Sequence, residues 1–196
     1  MNLLRKTLIT VLMMVVSFGF GHAQNKKVLV FSKTAGYRHS SIEAGQAFFK
    51  KISPEVNIDF TFSVDDAVME EENLKQFSAV VFLYTTGDIL DDRQQADFER
   101  YIQAGGGFMG IHAAADTEYG WPWYNKLVGA WFTSHPGGSV SNIQDGKMTV
   151  HDQTHPATKH LPLIFNRDDE FYDFKSVQKD AIKVLISVDE SSYKQG

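Results

Sequence analysis

Short, wholly apolar runs alternate with amphipathic stretches over the first two thirds of the chain. "KKVLVFS" (26–32), "AVVFLY" (79–84) and "GFMGIH" (107–112) are rich in β-branched and aromatic residues and are bounded by loops. Strands buried on both faces have that composition, whereas a half-exposed strand alternates apolar with polar. "VNIDFTF" (56–62) does alternate, which predicts a strand covered less completely. "SSIEAGQAFFKKI" (40–52) predicts a helix. Ser40 and Glu43 have capping-box spacing, Ala44, Phe48, Phe49 and Ile52 share a face, and Pro54 closes it. A short helix is expected around Glu70–Phe77. "DDRQQADFERYIQAGGG" (91–107) predicts another, with Asp91 and Gln94 as capping box, Phe98, Tyr101 and Ile102 on one face, and Gly105 as the stop. Strands that alternate with helices imply a parallel sheet with helices on both faces.

Beyond Trp121 the pattern is weaker. "KMTVHD" (147–152), "DEFYDF" (169–174) and "AIKVLISV" (181–188) are expected as further strands, and "WYNKLVGAWF" (123–132) as a short helix. The chain stops at "DESSYKQG", directly after a strand, so an incomplete C-terminal end is expected, either an open edge or a truncated sequence.

The first residues change the picture. "MNLLRK" carries two positive charges, "TLITVLMMVVSFGF" is apolar, and "GHA" offers small residues where a signal peptidase cuts. This predicts a secretory signal over 1–23 and a single domain over 24–196, exported to the periplasm or beyond the cell. The apolar run is short for a membrane span of ~20 residues, so no membrane anchor is expected once the signal is removed. With Arg5 and Lys6 removed from the 19 basic residues, 17 stand against 24 acidic ones. No basic stripe is present, which argues against nucleic acid as a partner. Cysteine is absent, which excludes disulfides and every thiol mechanism.

In an open parallel sheet, ligands sit outside the carboxyl ends of the strands, where the strand order reverses. The loops expected there are "KTAGYRHSS", "TTGDILDD" and "HAAADTEYGWPWY". His112 falls at the mouth of that crevice, and Ala113, Ala114 and Ala115 leave room above its ring. Lys33, Arg38 and His39 approach from one side, and Thr85, Thr86 and Asp88 from another.

Five stretches together carry a resemblance: "KTAGYRHSSI", "GGGFMGIHAAAD", "WYNKLVGAWFTSHP", "HPAT" and "DDEFYDF". They resemble the ThuA-like family, named for trehalose utilisation, from about Lys26 to the end of the sequence. The resemblance implies a three-layer α/β/α sandwich with a mostly parallel, flavodoxin-like sheet, similar to class I glutamine amidotransferases. It also implies a role in handling sugars or their oxidised derivatives. Amidotransferases place a cysteine nucleophile in a G-I-C-x-G turn; here His112 takes its place in Gly110-Ile111-His112-Ala113-Ala114, so glutamine hydrolysis is excluded.

Three chemistries remain. His112 with His39, helped by Asp116 or Glu170, could move a proton beside a sugar carbonyl or assist glycosidic cleavage, since imidazole exchanges protons near neutral pH. The aromatics of "YGWPWY", Trp123 and Tyr124 among them, could stack on a sugar ring, although a hydrophobic plug beside the sheet is the simpler explanation of any one of them. Alternatively His39, His112 and His135 with a carboxylate suit a divalent metal such as zinc, although no spacing is diagnostic and His151 and His155 need not share a face. The third reading is a carbohydrate-binding module without turnover. The catalytic candidates are therefore His112, His39 and Glu170, and the substrate-binding candidates are Lys33, Arg38, Asp116, Trp123, Tyr124 and His135.

Overall fold

In the computed structural model, which describes residues 26–195, four strands run parallel: β1 (Lys26–Phe31), β2 (Ile58–Ser63), β3 (Ala79–Leu83) and β4 (Gly107–Ile111). Their spatial order is β2-β1-β3-β4, the flavodoxin-like arrangement. The expected export signal, 1–23, lies outside the described residues. Among the described residues, no helix is long and apolar enough to cross a membrane.

The apolar runs are explained by the two cores the sheet separates. Leu29, Phe31, Val80 and Phe82 point to one side, packed with Leu74, Phe98 and Tyr124. Val28, Val30, Val81 and Leu83 point to the other, against Phe49. Covering each such Leu or Phe contributes about 1.5–3 kcal/mol. The first core lies under α2 (Glu71–Leu74), α3 (Asp92–Gln103) and α4 (Pro122–Val128), and the second under α1 (Ile42–Val56). This is a three-layer α/β/α sandwich. β4 departs from its expectation: it forms an edge of the sheet, and Met109 is left 54% exposed.

α3 begins with the predicted box: Gln94 N–H donates to Asp91 Oδ1 at 2.8 Å, and Asp91 N–H to Gln94 Oε1 at 3.0 Å. The box predicted at Ser40 does not form. The N-cap is Ser41, already in helical geometry and without a side-chain cap bond, and Glu43 pairs with Arg38 instead. The face that α1 buries is also rotated. Ile42 and Phe49 are buried and Phe48 is exposed. A Cβ added at Gly45 would lie 3.0 Å from Leu83 Cδ1, so the glycine lets the helix settle onto β3. Pro54 does not end α1, which runs to Val56 before Asn57 turns left-handed and donates its N–H to Ser53 O.

The last third is antiparallel. β5 (Trp131–Ser134) pairs with β8 (Asp173–Lys175), while β6 (Ile143–Val150) lies between β7 (Ile164–Glu170) and β9 (Ile186–Val188). The expected helix "WYNKLVGAWF" stops at Val128, because Gly129 adopts φ +93°, and its remainder becomes β5. "DEFYDF" is split at Phe171 and Tyr172 between β7 and β8, and only the last three residues of "AIKVLISV" form β9.

Three loops are laced together at the carboxyl ends of the parallel strands. Ala35 N–H and Gly36 N–H donate to Thr86 O at 2.7 and 3.2 Å, Gly87 N–H to Asp116 O at 2.7 Å, and Glu118 N–H to Gly87 O at 3.2 Å. Glu118 is buried (1% exposed), and its carboxylate accepts from Ile89 N–H, Leu90 N–H and Gln95 Nε2 at 2.7–2.9 Å. Glu118→Ala would strand two buried N–H groups, each costing about 1–3 kcal/mol. Chemical denaturation should therefore show a loss of about 2–5 kcal/mol; a loss under about 1 kcal/mol would show that the lacing does not depend on this carboxylate.

Candidate functional site

His112 follows β4 directly, and the backbone then doubles back. Ala113 takes φ +69° and Ala114–Asp116 form a 3-10 turn. A Cβ on Gly110 would come within 2.9 Å of Ala114 Cβ, so small residues at both positions allow the fold-back. Tyr84, which follows β3, also has positive φ (58°). Non-glycine residues in this region cost about 1–3 kcal/mol each, and such strain gathers at ligand sites. Here the two flank a single hollow.

The hollow has a volume of about 740 Å³ and is walled by His39, Tyr84, His112, Asp116, His135 and Glu170, among others. His112 Nε2 lies 3.0 Å from Glu170 Oε2 and 3.0 Å from the Tyr172 hydroxyl. Asn142 Nδ2 donates to Glu170 Oε1 at 2.8 Å, and His135 Nε2 lies 3.5 Å from the same oxygen. The Glu170 side chain is only 12% exposed, so these partners replace the water it has lost. His39 approaches edge-on, its ring 5.0 Å from His112 and 5.5 Å from Tyr84. Asp116 Oδ1 accepts from the Tyr119 hydroxyl at 2.5 Å.

Two protonation states are tilted by this packing. Burial first, and the neighbouring His112 second, hold His39 below the usual imidazole value of 6.5, while Glu170 and Asp116 pull the other way. Burial, and then Glu170, push the Tyr172 phenol up, so it stays a hydrogen-bond donor.

The structure thus brings His39, His112, Glu170, Asp116 and His135 to one wall. The other four substrate-binding candidates lie away from that wall. Lys33 pairs with Asp66 and donates to Ile89 O at 2.9 Å, off the hollow. Arg38 turns outward to Glu43 at 2.6 Å. Tyr124 is fully buried, its hydroxyl donating to Ala114 O at 2.8 Å, and Trp123 packs against the same core, 5.0 Å ring to ring from Trp121. Pro122 opens α4, and both rings pack into the core on that side of the sheet. His151 bonds Ser187 at 2.8 Å, and His155 Nδ1 accepts from Ala157 N–H at 3.2 Å. Sequence reasoning missed Tyr172, Asn142, Phe132 and Tyr37, all of which line the hollow. Tyr172 had a usable signal, standing two residues beyond Glu170.

Among the described residues, His39, His112 and Glu170 each offer a ligand atom within 4.8 Å of the others. Two imidazoles and a carboxylate suit zinc with positions left open. His39 Nδ1 is also buried without a hydrogen-bond partner, a cost that the protein itself leaves uncompensated. The donor set fits a divalent cation.

A family model described as "ThuA: Trehalose utilisation" matches residues 27–196. A crystal structure of a ThuA-like protein from Bacteroides uniformis superposes with TM-score 0.73 at 24% identity, covering 89% of this chain and 72% of the other. One from Parabacteroides merdae gives 0.68 at 20% identity, covering 85% and 70%. These likenesses establish the fold. No curated protein matches the chain in sequence.

The His39 shift sets a pH dependence. Because folding favours the neutral ring, its contribution to stability is intact above 6.5 and is lost as pH falls from 6.5 through the lower folded value. An NMR titration of metal-free protein should place the His39 midpoint below 6.5, and His112→Asn should raise it. A midpoint at or above 6.5 would contradict the packing described.

Proposed function

Since the chain belongs to the ThuA family, the family of trehalose utilisation, we propose that it acts on a carbohydrate held in the hollow around His112. The observation that carries this reading is the convergence of His39, His112 and Glu170 at the carboxyl ends of the parallel strands. In this reading the three residues hold a divalent metal such as zinc, which when bound acts as a Lewis acid on a sugar hydroxyl or carbonyl oxygen.

The remaining residues have separable roles. Asn142 holds the Glu170 carboxylate through Oε1 and leaves Oε2 toward His112, while the contact of Tyr172 with His112 Nε2 is one that a bound metal would replace. His39, held neutral by burial, keeps a lone pair available at neutral pH. With Glu170 engaged, Asp116 is the other carboxylate among the candidates on the wall, anchored by Tyr119, and is the group placed to take a proton from the sugar. The apolar segment ahead of residue 24 supports the further reading that this chemistry takes place outside the cytoplasm.

Protein purified without chelator should carry about one equivalent of divalent metal by elemental analysis. His112→Ala should lower metal affinity by about 100-fold or more, and Asn142→Ala, which touches only a ligand, by about 10–100-fold. Circular dichroism of both should stay unchanged. Absence of metal, together with undiminished sugar binding in His112→Ala, would overturn the proposal. Metal-dependent sugar binding without turnover of disaccharides or their keto forms would reduce the site to a binding module.

A further inference from the structure

Tyr37 leaves 71% of its surface exposed, yet the backbone of its loop is tied to the neighbouring one. Ala35 and Gly36 donate to Thr86 O, and the Thr86 hydroxyl donates to Tyr37 O at 2.8 Å. Phe31 and Phe82, at the ends of the strands that carry these loops, are fully buried, so the anchor itself does not shift. An aromatic ring on a loose loop can fold back onto a neighbour. This one has its backbone held at the lip of the hollow, and most of its surface is open to water. It meets His39 edge to face, ring centroids 4.9 Å apart at 88°, and His39 in turn stands 5.0 Å from His112. The aromatic face is therefore one ring's distance farther out than the polar cluster. Phe132 and Tyr172, packed 4.2 Å apart, make the lining of the hollow partly aromatic as well.

A pyranose carries hydroxyls around its rim and a patch of C–H bonds on its face. The rim suits the cluster of His39, His112, Glu170 and Asp116, and the C–H face suits an open aromatic ring. We infer that Tyr37 forms a second subsite, a stacking platform for the sugar ring adjoining the one held at His112, and that the site therefore takes a ligand of two linked sugar rings rather than one. This rests on the carbohydrate reading above. Because the Tyr37 backbone is already held, only the ring itself has to be ordered when the ligand arrives.

Titration calorimetry with trehalose and with glucose, on the protein as purified, tests it. The unmodified chain should bind trehalose more tightly than glucose. Tyr37→Ala should weaken trehalose by about 2–10-fold, the range expected for one ring-to-ring contact, and leave glucose unchanged. Tyr37→Phe, which keeps the face and loses the hydroxyl, should bind like the unmodified chain. Equal effects on both sugars, no effect in Tyr37→Ala, or a loss in Tyr37→Phe as large as in Tyr37→Ala would overturn the platform while leaving the carbohydrate reading in place. Failure of the unmodified chain to bind either sugar would remove that reading, and the platform with it.

Discussion

The contact between Glu170 and His112 is the constraint on which the site depends. A carboxylate that is 12% exposed has lost most of its hydration, and leaving it unpartnered would cost several kcal/mol. It is satisfied from three directions at once, by His112 from the parallel sheet, by Asn142 from the segment before β6, and by the neighbouring Tyr172. Glu170 itself ends β7, in a sheet that shares no strand with the one that carries His112. The hollow is thus a seam. Its histidine side belongs to the α/β/α layers, and its carboxylate side to the antiparallel excursion, so neither half forms it alone.

The backbone around that seam breaks local rules in a consistent way. Tyr84 and Ala113 both occupy the left-handed region, and both stand where a strand gives way to a site loop. Gly110 and Ala114 touch where larger side chains would hold the turn open. Asn57, Glu118 and Ser176 also take positive φ, so it is the pairing of Tyr84 and Ala113 beside one hollow, rather than the conformation alone, that fits a geometry selected for function. The buried Glu118 and the lacing of the loops supply the rigidity that such strain requires.

The parallel layers were legible in the sequence because their signal is local. Three apolar runs, the alternating stretch 56–62, the Asp91–Gln94 box and Gly105 each state their role within a few residues. The crevice was legible because its position follows from strand order, which is how His112 and His39 were found together. What was not legible depends on partners far away in sequence. Lys33 and Arg38 looked available to a ligand, but Asp66 and Glu43 neutralise them, and only the folded chain brings Lys33 to Asp66. The aromatics of "YGWPWY" allowed two readings, a sugar platform or a plug beside the sheet, since composition does not say which side of a helix meets the sheet; the fold makes them the plug. Tyr37, a single aromatic in a polar loop, gave no sign of standing at the lip. The antiparallel strands carry polar residues throughout, and their pairings, such as Ile143 with Glu170, leave no periodic trace.

The account is tested most directly by crystallography of the chain grown without chelator and soaked with trehalose, with anomalous data collected across the zinc edge. It predicts an anomalous peak within coordinating distance of His39, His112 and Glu170, with sugar density running from that peak toward Tyr37. A metal peak elsewhere, or sugar bound away from this hollow while His112 and Glu170 keep their contact undisturbed, would contradict it.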